Sequence, residues 1–461
     1  MTQESRRSFL SKLAAGSVAA AAAPGLLSAT AGARVRRMRS TKRRSANDQI
    51  QIAIIGAGGM GTIDVDTALS IDGVRLVAAC DLYTGRIEAA HEKWSKQGEE
   101  GEEVEVELFT TRDYHEVLAR EDVDAVVVAT PDHWHRRISI DAMEAGKAVY
   151  CEKPMVHRIE DGRAVIEAQR ATGRTFQVGS QGMASLGNEK AKELLADGAI
   201  GTLTYAEGFW ARNSPGGAWQ YEVPDDASEE TVDWDRFLGE APNTPFDATR
   251  FFRWRNYRDY GTGVTGDLFV HLFSSLHYIA GAVGPTRIMA TGGLRFWKDG
   301  RDVPDVMLGM FDYPETQNHP PFNLSLRVNF VDGTSGNTVL RLVGTEGAMD
   351  VGWTEVVLRR NKAWLPTDDL RQQQEDERTA RYGERKQMLP PVEAVYKAED
   401  DYWGAHVDHF TSFFEGMRTG ETVPQDAVFG FRAAAPALAC NDSYFDEKIV
   451  RWDPVAMRIV E

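Results

Sequence analysis

Residues 52–61, Ile52-Ala53-Ile54-Ile55-Gly56-Ala57-Gly58-Gly59-Met60-Gly61, decide the fold of this chain. The apolar start predicts a buried strand, and the glycines fit G-x-G-x-x-G at the opening of a helix. In this motif the first glycine permits a tight turn, the second lets backbone approach a pyrophosphate, and the third allows close packing of helix on strand. The helix that follows would present free N–H groups to phosphates. The residues expected to contact a dinucleotide here are Gly56, Gly58, Gly59, Met60 and Gly61.

A second predicted strand, Arg75 to Cys80, ends at Asp81, twenty residues after Gly61. An acidic side chain at this point binds the adenosine ribose and repels a 2′-phosphate, so Asp81 favours NAD as the cofactor. Arg86 lies close by and keeps NADP open. The alternative interpretation is a tight turn followed by a surface aspartate.

The 461-residue chain is long enough for two or three domains. Strand and helix signals alternate over residues 49–180, which predicts a parallel sheet between helices. Extended segments rich in β-branched and aromatic residues then recur within residues 181–461, and few helices separate them, which suits an antiparallel sheet. The predicted fold class is α/β, a Rossmann domain followed by a second domain with an open, mostly antiparallel sheet. The extended segments are Thr202–Trp210, Arg287–Phe296, Val306–Phe311, Leu324–Phe330, Asn337–Val343 and Glu355–Arg360.

The N-terminus has the features of an export signal. Ser5-Arg6-Arg7-Ser8-Phe9-Leu10-Ser11-Lys12 resembles a twin-arginine motif, and an uncharged, alanine-rich run follows it to Ala33. We expect residues 1–33 to be a signal peptide read by the twin-arginine machinery and residues 34–48 to be a basic linker. The expected location is periplasmic or exported. A membrane anchor is the alternative if the signal is not cleaved.

Charge and cysteine content exclude several classes of partner. Residues 1–44 hold ten basic residues and one Glu, so the rest of the chain has 42 basic and 68 acidic residues. Such a body would be repelled by a phosphate backbone, which argues against nucleic acid. Three scattered cysteines, Cys80, Cys151 and Cys440, are too few for a disulfide framework or a zinc cluster.

Two further strand ends of the first domain carry polar motifs. Thr130-Pro131-Asp132-His133-Trp134-His135 follows an apolar run from Val123 to Ala129, and Glu152-Lys153-Pro154 follows Ala148 to Cys151. Ligands bind at such carboxyl ends. The histidine-rich motif fits a polar loop better than a metal site, Lys153 is either a cleft residue or a salt-bridged surface lysine, and Pro154 predicts a rigid peptide that could be cis. The cofactor contacts expected here are Thr130, Pro131, His135, Glu152 and Lys153.

Asp267 and His271 are the candidates for proton chemistry. We predict that both lie on one helix, from Gly266 to about Ala280, where a spacing of four places them on one face. Oxidation of an alcohol requires a base for the hydroxyl proton, and histidine suits this task. The alternative is a buried histidine paired with an aspartate for packing.

These motifs together resemble the Gfo/Idh/MocA oxidoreductases. The resemblance rests on Gly56–Gly61, Thr130–His135 and Glu152–Pro154, and a glycine-rich turn followed by D-x-G-x-H overlays Gly261–His271. It implies a nicotinamide cofactor, a second domain with a large, mostly antiparallel sheet, a sugar or polyol substrate, and catalytic roles for Lys153, Asp267 and His271. It also implies a homodimer or homotetramer formed through that sheet. Thr262 and Phe269 depart from the family pattern, which leaves the shape of the substrate pocket open.

The excursion from Ala211 to Tyr260 is rich in aromatic and basic residues, and a loop this long is usually functional. Trp254, Arg255 and Tyr257 are its candidates for substrate contact. Near the C-terminus, His406 and His409 stand three apart on a predicted helix, where packing or a substrate-side contact is a better explanation than metal binding. No metal site is predicted.

The sequence therefore predicts an exported NAD-dependent oxidoreductase that acts on a sugar, polyol or glycoside. Because an exported enzyme cannot readily exchange its nucleotide, we expect the cofactor to stay bound through the cycle. The alternatives are a redox-neutral glycoside hydrolase or lyase that oxidises its substrate transiently, and a non-catalytic sugar or nucleotide sensor.

Overall fold

The structure is a computed structural model that describes residues 49–97, 104–213, 218–334, 338–360, 377, 380–381 and 393–460. These residues belong to one compact unit, Arg43–Glu461. The predicted signal peptide (1–33) and basic linker (34–48) lie outside the described residues. Among the helices that the structure describes, none is long and apolar enough to cross a membrane.

The first sheet has six parallel strands in the order β3-β2-β1-β4-β5-β6. This is the order of a dinucleotide-binding Rossmann fold, and it confirms the fold predicted from the glycine motif. The central strands are continuous apolar runs that are buried along their length, as parallel strands covered on both faces must be. The strands are β1 Ile50–Ile55, β2 Val74–Cys80, β3 Phe109–Thr111, β4 Ala125–Val128, β5 Ala148–Glu152 and β6 Phe176–Gly179.

Helices alternate with these strands and cover both faces of the sheet. A two-stranded ladder, Lys96–Gln97 with Val104–Glu105, lies between β2 and β3. The α-helices of this part are Gly59–Leu69, Thr84–Trp94, Tyr114–Leu118, His135–Glu144, Gly162–Thr172 and Leu186–Ala196. Short 3₁₀ turns occur at Asp132–Trp134, Ile159–Asp161 and Gln181–Ala184.

The second sheet has ten strands in the order β14-β13-β12-β11-β7-β10-β9-β8-β15-β16. All neighbours are antiparallel except β7 and β10, which confirms the mostly antiparallel sheet. Burial alternates along β9, where Leu308 and Met310 are exposed and their neighbours face the core. The strands are β7 Leu203–Ala211, β8 Arg287–Gly293, β9 Val306–Tyr313, β10 Phe322–Asn329, β11 Thr338–Gly344, β12 Gly347–Val351, β13 Glu355–Arg360, β14 Glu393–Lys397, β15 Val450–Asp453 and β16 Arg458–Val460.

Helices of the second half join the two sheets. Val270–Ala280 and Ala427–Phe445 cover one face of the ten-stranded sheet, and Ala405–Thr419 returns to the first sheet. There the Phe410 ring stacks on Tyr150 with centroids 4.1 Å apart. The last part of the chain therefore completes the core beneath the first domain.

The predicted helix from Gly266 to Ala280 is wrong at its beginning. Thr265–Phe269 forms a π-helix, and the α-helix that follows it is Val270–Ala280. Gly266 fits here because an added Cβ would overlap the side chain of Thr262. A π-turn holds one more residue than an α-turn, so Asp267 and His271 do not have the α-helical relationship that their spacing suggested.

Candidate active site

A cleft of about 1010 Å³ runs past the carboxyl ends of the first sheet and is closed on its other side by the second half of the chain. Nearly all of the predicted site residues line this cleft. They are Gly56, Gly58, Gly59, Met60, Asp81, Thr130, Pro131, Glu152, Lys153, Trp254, Arg255, Asp267 and His271. Gly61, His135 and Tyr257 do not line it.

The glycine turn has the shape that a pyrophosphate requires. Gly56 has φ +98°, and an added Cβ would lie 2.6 Å from the carbonyl oxygen of Ala129. Gly61 contacts the carbonyl of Gly56, so its role is to pack the helix on the strand. A Cβ at Gly59 would meet no atom within 4 Å, and no side chain caps the helix that begins there. The first-turn N–H groups therefore remain available to an anion.

Asp81 connects the glycine turn to the end of β2. Its Oδ2 accepts a hydrogen bond from the Ala57 N–H at 2.9 Å, and its Oδ1 accepts one from the Tyr83 N–H at 3.0 Å. Arg86 lies 3.6 Å away from Oδ1, over the ring of Phe252. The predicted ribose carboxylate thus also holds the backbone around the site.

The ends of β4 and β5 are held together by His135. Its Nδ1 lies 2.7 Å from the carbonyl oxygen of Pro154, and its Nε2 lies 3.0 Å from that of Thr130. Burial lowers the pKa of His135, although the charge of Asp132 and the two carbonyl oxygens oppose this effect. His135 therefore positions the two loops from behind the cleft and does not face a cofactor. The Lys153–Pro154 peptide is cis, as the sequence allowed, and the Thr130 Oγ1 in the cleft wall has no partner among the described residues.

Lys153 and Asp267 form an ion pair at the far end of the cleft. The Lys153 Nζ lies 2.6 Å from Asp267 Oδ1 and 2.9 Å from the Asp267 carbonyl oxygen, and the Arg255 Nε lies 3.3 Å from the same Oδ1. Burial alone would raise the pKa of Asp267, but the charges of Lys153 and Arg255 outweigh it and hold the pKa below its usual range. Asp267 is therefore ionised, and its partners among the described residues are these two cations.

His271 lies beside this ion pair with its ring centroid 5.3 Å from that of Trp210. Its Nδ1 is buried and has no hydrogen-bond partner in the part of the chain that the structure describes. Nε2 is not one of the buried atoms that lack a partner. Burial, and then the charge of Lys153, lower the pKa of His271 to about 3. The ring is thus neutral near pH 7, in the protonation state that can accept a proton.

A second group of titratable residues lies behind Lys153. Gln181 Nε2 donates to Oε1 of the buried Glu152. Burial and the nearby charge of Asp64 raise the pKa of Glu152 to about 8, although Lys153 opposes them. His406 lies in the cleft wall with its Nε2 2.9 Å from Asp64 Oδ1.

The sequence did not identify Asp64, Gln181 or the pairing of His406, because they come from three distant segments that only the fold brings together. His409 lies deeper, with its Nδ1 3.1 Å from the Tyr150 hydroxyl and its Nε2 3.0 Å from the Gln425 Oε1. No group of three metal-ligating side chains occurs among the described residues.

Aromatic side chains surround the reacting end of the cleft. Trp219 is buried and has φ +63°, a strained conformation for a large side chain, and strain of this kind is common at functional sites. Tyr257 is buried in a neighbouring core beneath Arg250, whose guanidinium lies 4.5 Å from the ring, and it does not line the cleft. The aromatic residues that line this end are Trp210, Trp219, Tyr221, Trp254 and Trp353.

The excursion covers the cleft and is tied to the first domain at both ends of the predicted nucleotide site. We call residues 218–260 of this excursion the clamp. Near β2, the Thr84 N–H donates to Thr231 O at 2.9 Å and the Asp233 N–H donates to Leu82 O at 2.9 Å. Near β4, the indole N–H of Trp134 donates to Phe237 O at 2.9 Å. Phe237, Phe251 and Phe252 of the clamp line the cleft.

Residues 50–180 match the sequence model of the Gfo/Idh/MocA family, described as an oxidoreductase family with an NAD-binding Rossmann fold. The first domain is therefore an NAD-binding Rossmann domain of an oxidoreductase family. This confirms the resemblance noted in the sequence over that domain, and it confirms NAD as the cofactor type.

Curated relatives match the same part of the chain. Inositol 2-dehydrogenase of Salmonella paratyphi B is 30% identical over 154 residues, which are 33% of this chain and 43% of the relative. A glycosyl hydrolase family 109 protein of Shewanella baltica is 28% identical over 164 residues, 35% of this chain and 34% of the relative. The chain thus spans less than half the length of these relatives.

The fold as a whole is shared with solved structures. A levoglucosan dehydrogenase in complex with NADH superimposes with a TM-score of 0.62 and 19% identity, over 87% of this chain and 99% of that one. At this level of identity the likeness shows the arrangement of both domains and no more.

We expect Asp81→Asn to shift nucleotide preference towards NADP by about tenfold, because the change removes the charge that repels a 2′-phosphate and leaves Arg86 unpaired. The remaining amide oxygen can still accept from a backbone N–H of the turn. The measurement is the ratio of dissociation constants for NAD and NADP, with the exposed Asp72→Asn as control. An unchanged ratio would show that Asp81 serves only the backbone.

We expect Glu152→Gln to change the pH dependence of stability. Because the folded-state pKa lies above the ordinary value, Glu152 contributes stability that is fully present below pH 4.5 and is lost as pH rises to about 8. Relative to Glu152→Gln, the wild-type free energy of unfolding should fall by at most about 1.4 kcal/mol per pH unit in that window. Urea unfolding measures it, with the exposed Glu144→Gln as control. If the free energy of unfolding has the same pH dependence in wild type and Glu152→Gln, the raised pKa of Glu152 is refuted.

Proposed function

We propose that the whole chain is a Gfo/Idh/MocA oxidoreductase that uses NAD to oxidise a hydroxyl group of a sugar, polyol or glycoside. The observation that carries this proposal is the convergence of Lys153, Asp267 and His271 at one end of the cleft whose other end holds the glycine turn. The sequence relatives and the shared fold support a CH–OH substrate.

The nucleotide would be held by the glycine turn, Asp81 and the backbone around Thr130. Once bound there, it supplies a nicotinamide ring as hydride acceptor. The chain's own residues orient the alcohol and handle its proton. His271 Nε2 would accept the hydroxyl proton while the Lys153 ammonium donates a hydrogen bond to the same oxygen. Asp267 holds Lys153 in place and, through its charge, favours the imidazolium that forms.

The position of Nδ1 determines which neutral form of His271 can act as the base. For Nε2 to accept a proton, the single hydrogen of the neutral ring must be on Nδ1, which is buried without an acceptor among the described residues. Burial and the charge of Lys153 keep the ring neutral near pH 7 because they lower its pKa to about 3. Transfer of the substrate proton is then assisted by the nearby Asp267 carboxylate.

We also propose that the cofactor stays bound during turnover. The clamp supports this because it crosses the cleft and is fastened at both ends of the nucleotide site. Its aromatic core, which includes Tyr83 of the first domain and Phe252, would have to separate before a nucleotide could leave. The twin-arginine pattern supports export of the loaded protein, since this route carries proteins already folded.

A homo-oligomer formed through the ten-stranded sheet is part of the same proposal. The face of β9 that carries Leu308 and Met310 is exposed, with 44% and 53% of these residues accessible. Exposed apolar side chains on a sheet of this size support an interface between copies.

A redox-neutral glycoside hydrolase is the second candidate, and the match to a glycosyl hydrolase family 109 protein favours it. Such an enzyme would use the same residues to oxidise a glycoside, eliminate its aglycone and return the hydride. The mass of the product separates the two, because only a net oxidoreductase yields an oxidised sugar. A sensor would bind sugar without reducing the cofactor.

We expect His271→Gln to reduce single-turnover cofactor reduction by about 10²- to 10⁴-fold, because the hydroxyl proton loses its acceptor. Near-ultraviolet absorbance of the reduced nicotinamide after addition of a sugar panel measures the rate, and product mass spectrometry assigns the reaction. His91→Gln, on the exposed side of a first-domain helix, is the matched control. If His271→Gln keeps most of its turnover, another group is the base.

We expect protein purified from its native compartment to release about one equivalent of NAD or NADP on denaturation.

Tyr83→Phe removes only the hydroxyl that donates to Asp226 of the clamp, so the rate at which the folded protein releases its nucleotide should rise about threefold to tenfold. Mass spectrometry identifies the nucleotide, and dilution into excess labelled nucleotide gives the rate. Protein that carries no nucleotide would refute retention.

A further inference from the structure

Three positive side chains lie near Asp267. Lys153 and Arg255 both contact Asp267 Oδ1. Arg212 is near enough to contribute to the lowered pKa of Asp267, as these two cations do. Glu222 in the cleft wall is exposed to solvent. The charge of the buried Asp132 also acts on Arg255, but its Oδ2 already accepts hydrogen bonds from the N–H and hydroxyl of Thr262. Glu152 does not neutralise these cations, because burial raises its pKa to about 8 and the carboxyl is largely protonated near pH 7.

Two of these cations have donors without acceptors. Arg255 contacts Asp267 through Nε only, and its terminal nitrogens have no partner within the described residues. Trp254 fixes the orientation of this guanidinium, which lies 4.2 Å from the indole. The Arg212 side chain likewise has no hydrogen bond or ion pair within the described residues, although its backbone N–H donates to Asn329 O at 3.1 Å.

The other arginines of the cleft differ in this respect. Arg86, Arg137 and Arg236 each have a carboxylate partner, at 3.6, 2.9 and 2.8 Å, and Arg112 donates to the Thr231 carbonyl at 3.0 Å. They lie at the nucleotide end, where the glycine turn provides for the pyrophosphate. The arginines with unpaired donors, Arg212 and Arg255, are therefore found at the reacting end of the cleft. Arg212 is two residues after Trp210 in the sequence.

Resting on the function proposed above, we propose that the substrate is a sugar bearing an oxyanion group, a carboxylate, sulfate or phosphate, which Arg212 and Arg255 bind. A guanidinium offers paired N–H groups that match two oxygens of such a group. Arg255 is largely shielded from water, with 22% of its side chain exposed, so a bound oxyanion would supply the negative charge that its terminal nitrogens lack. Arg212 is exposed and would contact the same group from the solvent side. The aromatic wall of Trp210 and Trp254 would contact the apolar face of the same sugar.

The test uses the holoenzyme and matched sugars: a hexose, its uronate, its 6-sulfate and its 6-phosphate. Wild type should turn over at least one charged member with kcat/KM about tenfold or more above the hexose. Arg212→Gln should reduce that ratio about tenfold or more, and Arg212→Lys should restore part of it. The preferred member identifies the oxyanion.

Arg327→Gln is the matched control, because Arg327 is exposed on β10 and its guanidinium lies 4.6 Å from the Phe209 ring, outside the cleft wall. It removes the same charge and should retain the wild-type ratio. Equal or better turnover of the neutral hexose by wild type, or an unchanged ratio in Arg212→Gln, would overturn the proposal.

A binding measurement separates this inference from the proposed function. The charged sugar should raise the Tm of wild type, and this increase should be lost in Arg212→Gln and kept in Arg327→Gln. If no sugar reduces the cofactor but this pattern holds, oxidation is refuted and the oxyanion site stands. If neutral sugars are oxidised and no charged sugar raises the Tm, the oxyanion site alone is refuted.

Discussion

The ion pair between Lys153 and Asp267 is the contact on which the site depends. Lys153 follows the fifth strand of the first sheet, and Asp267 lies in the π-helix before Val270–Ala280, so the pair joins the nucleotide half of the cleft to the substrate half. Both side chains are largely buried, and loss of Asp267 would leave the Lys153 ammonium uncompensated at a cost of about 3–5 kcal/mol. Loss of Lys153 would leave Asp267 with Arg255 as its cation. The same ion pair therefore determines both where the reacting groups lie and whether they are ionised.

Charge at this end of the cleft determines what each neighbour can do. Lys153 helps to lower the pKa of His271, and it opposes the effect that burial has on Glu152. A neutral imidazole and a largely protonated carboxyl thus lie on either side of one ammonium group. Arg255 adds a second cation to the same carboxylate oxygen. The π-helix makes this arrangement possible because it turns Asp267 towards the cations and leaves His271 beside Trp210.

The clamp and the helix Ala405–Thr419 give the cleft its closed form. The clamp connects the ends of two first-domain strands, while the helix contributes His406 to the cleft wall and three phenylalanines to the core beneath it. Both come from the second half of the chain, yet they complete the first domain. A nucleotide in this cleft would have protein on several sides, which is the physical basis for its proposed retention.

The sequence by itself determined the Rossmann fold and the mostly antiparallel second sheet, because these follow from strand periodicity and from a glycine motif whose members act locally. It identified Lys153, Asp267 and His271 as candidates by their motifs, and the resemblance to a known family implied their roles. It also showed that Pro154 could follow a cis peptide. Only the tertiary structure decided which partner Asp267 takes, that His135 supports two loops from behind, that Tyr257 is buried elsewhere, and that Asp64 meets His406. These outcomes depend on contacts between distant segments and on burial, and neither is encoded in the spacing of residues along one helix or loop.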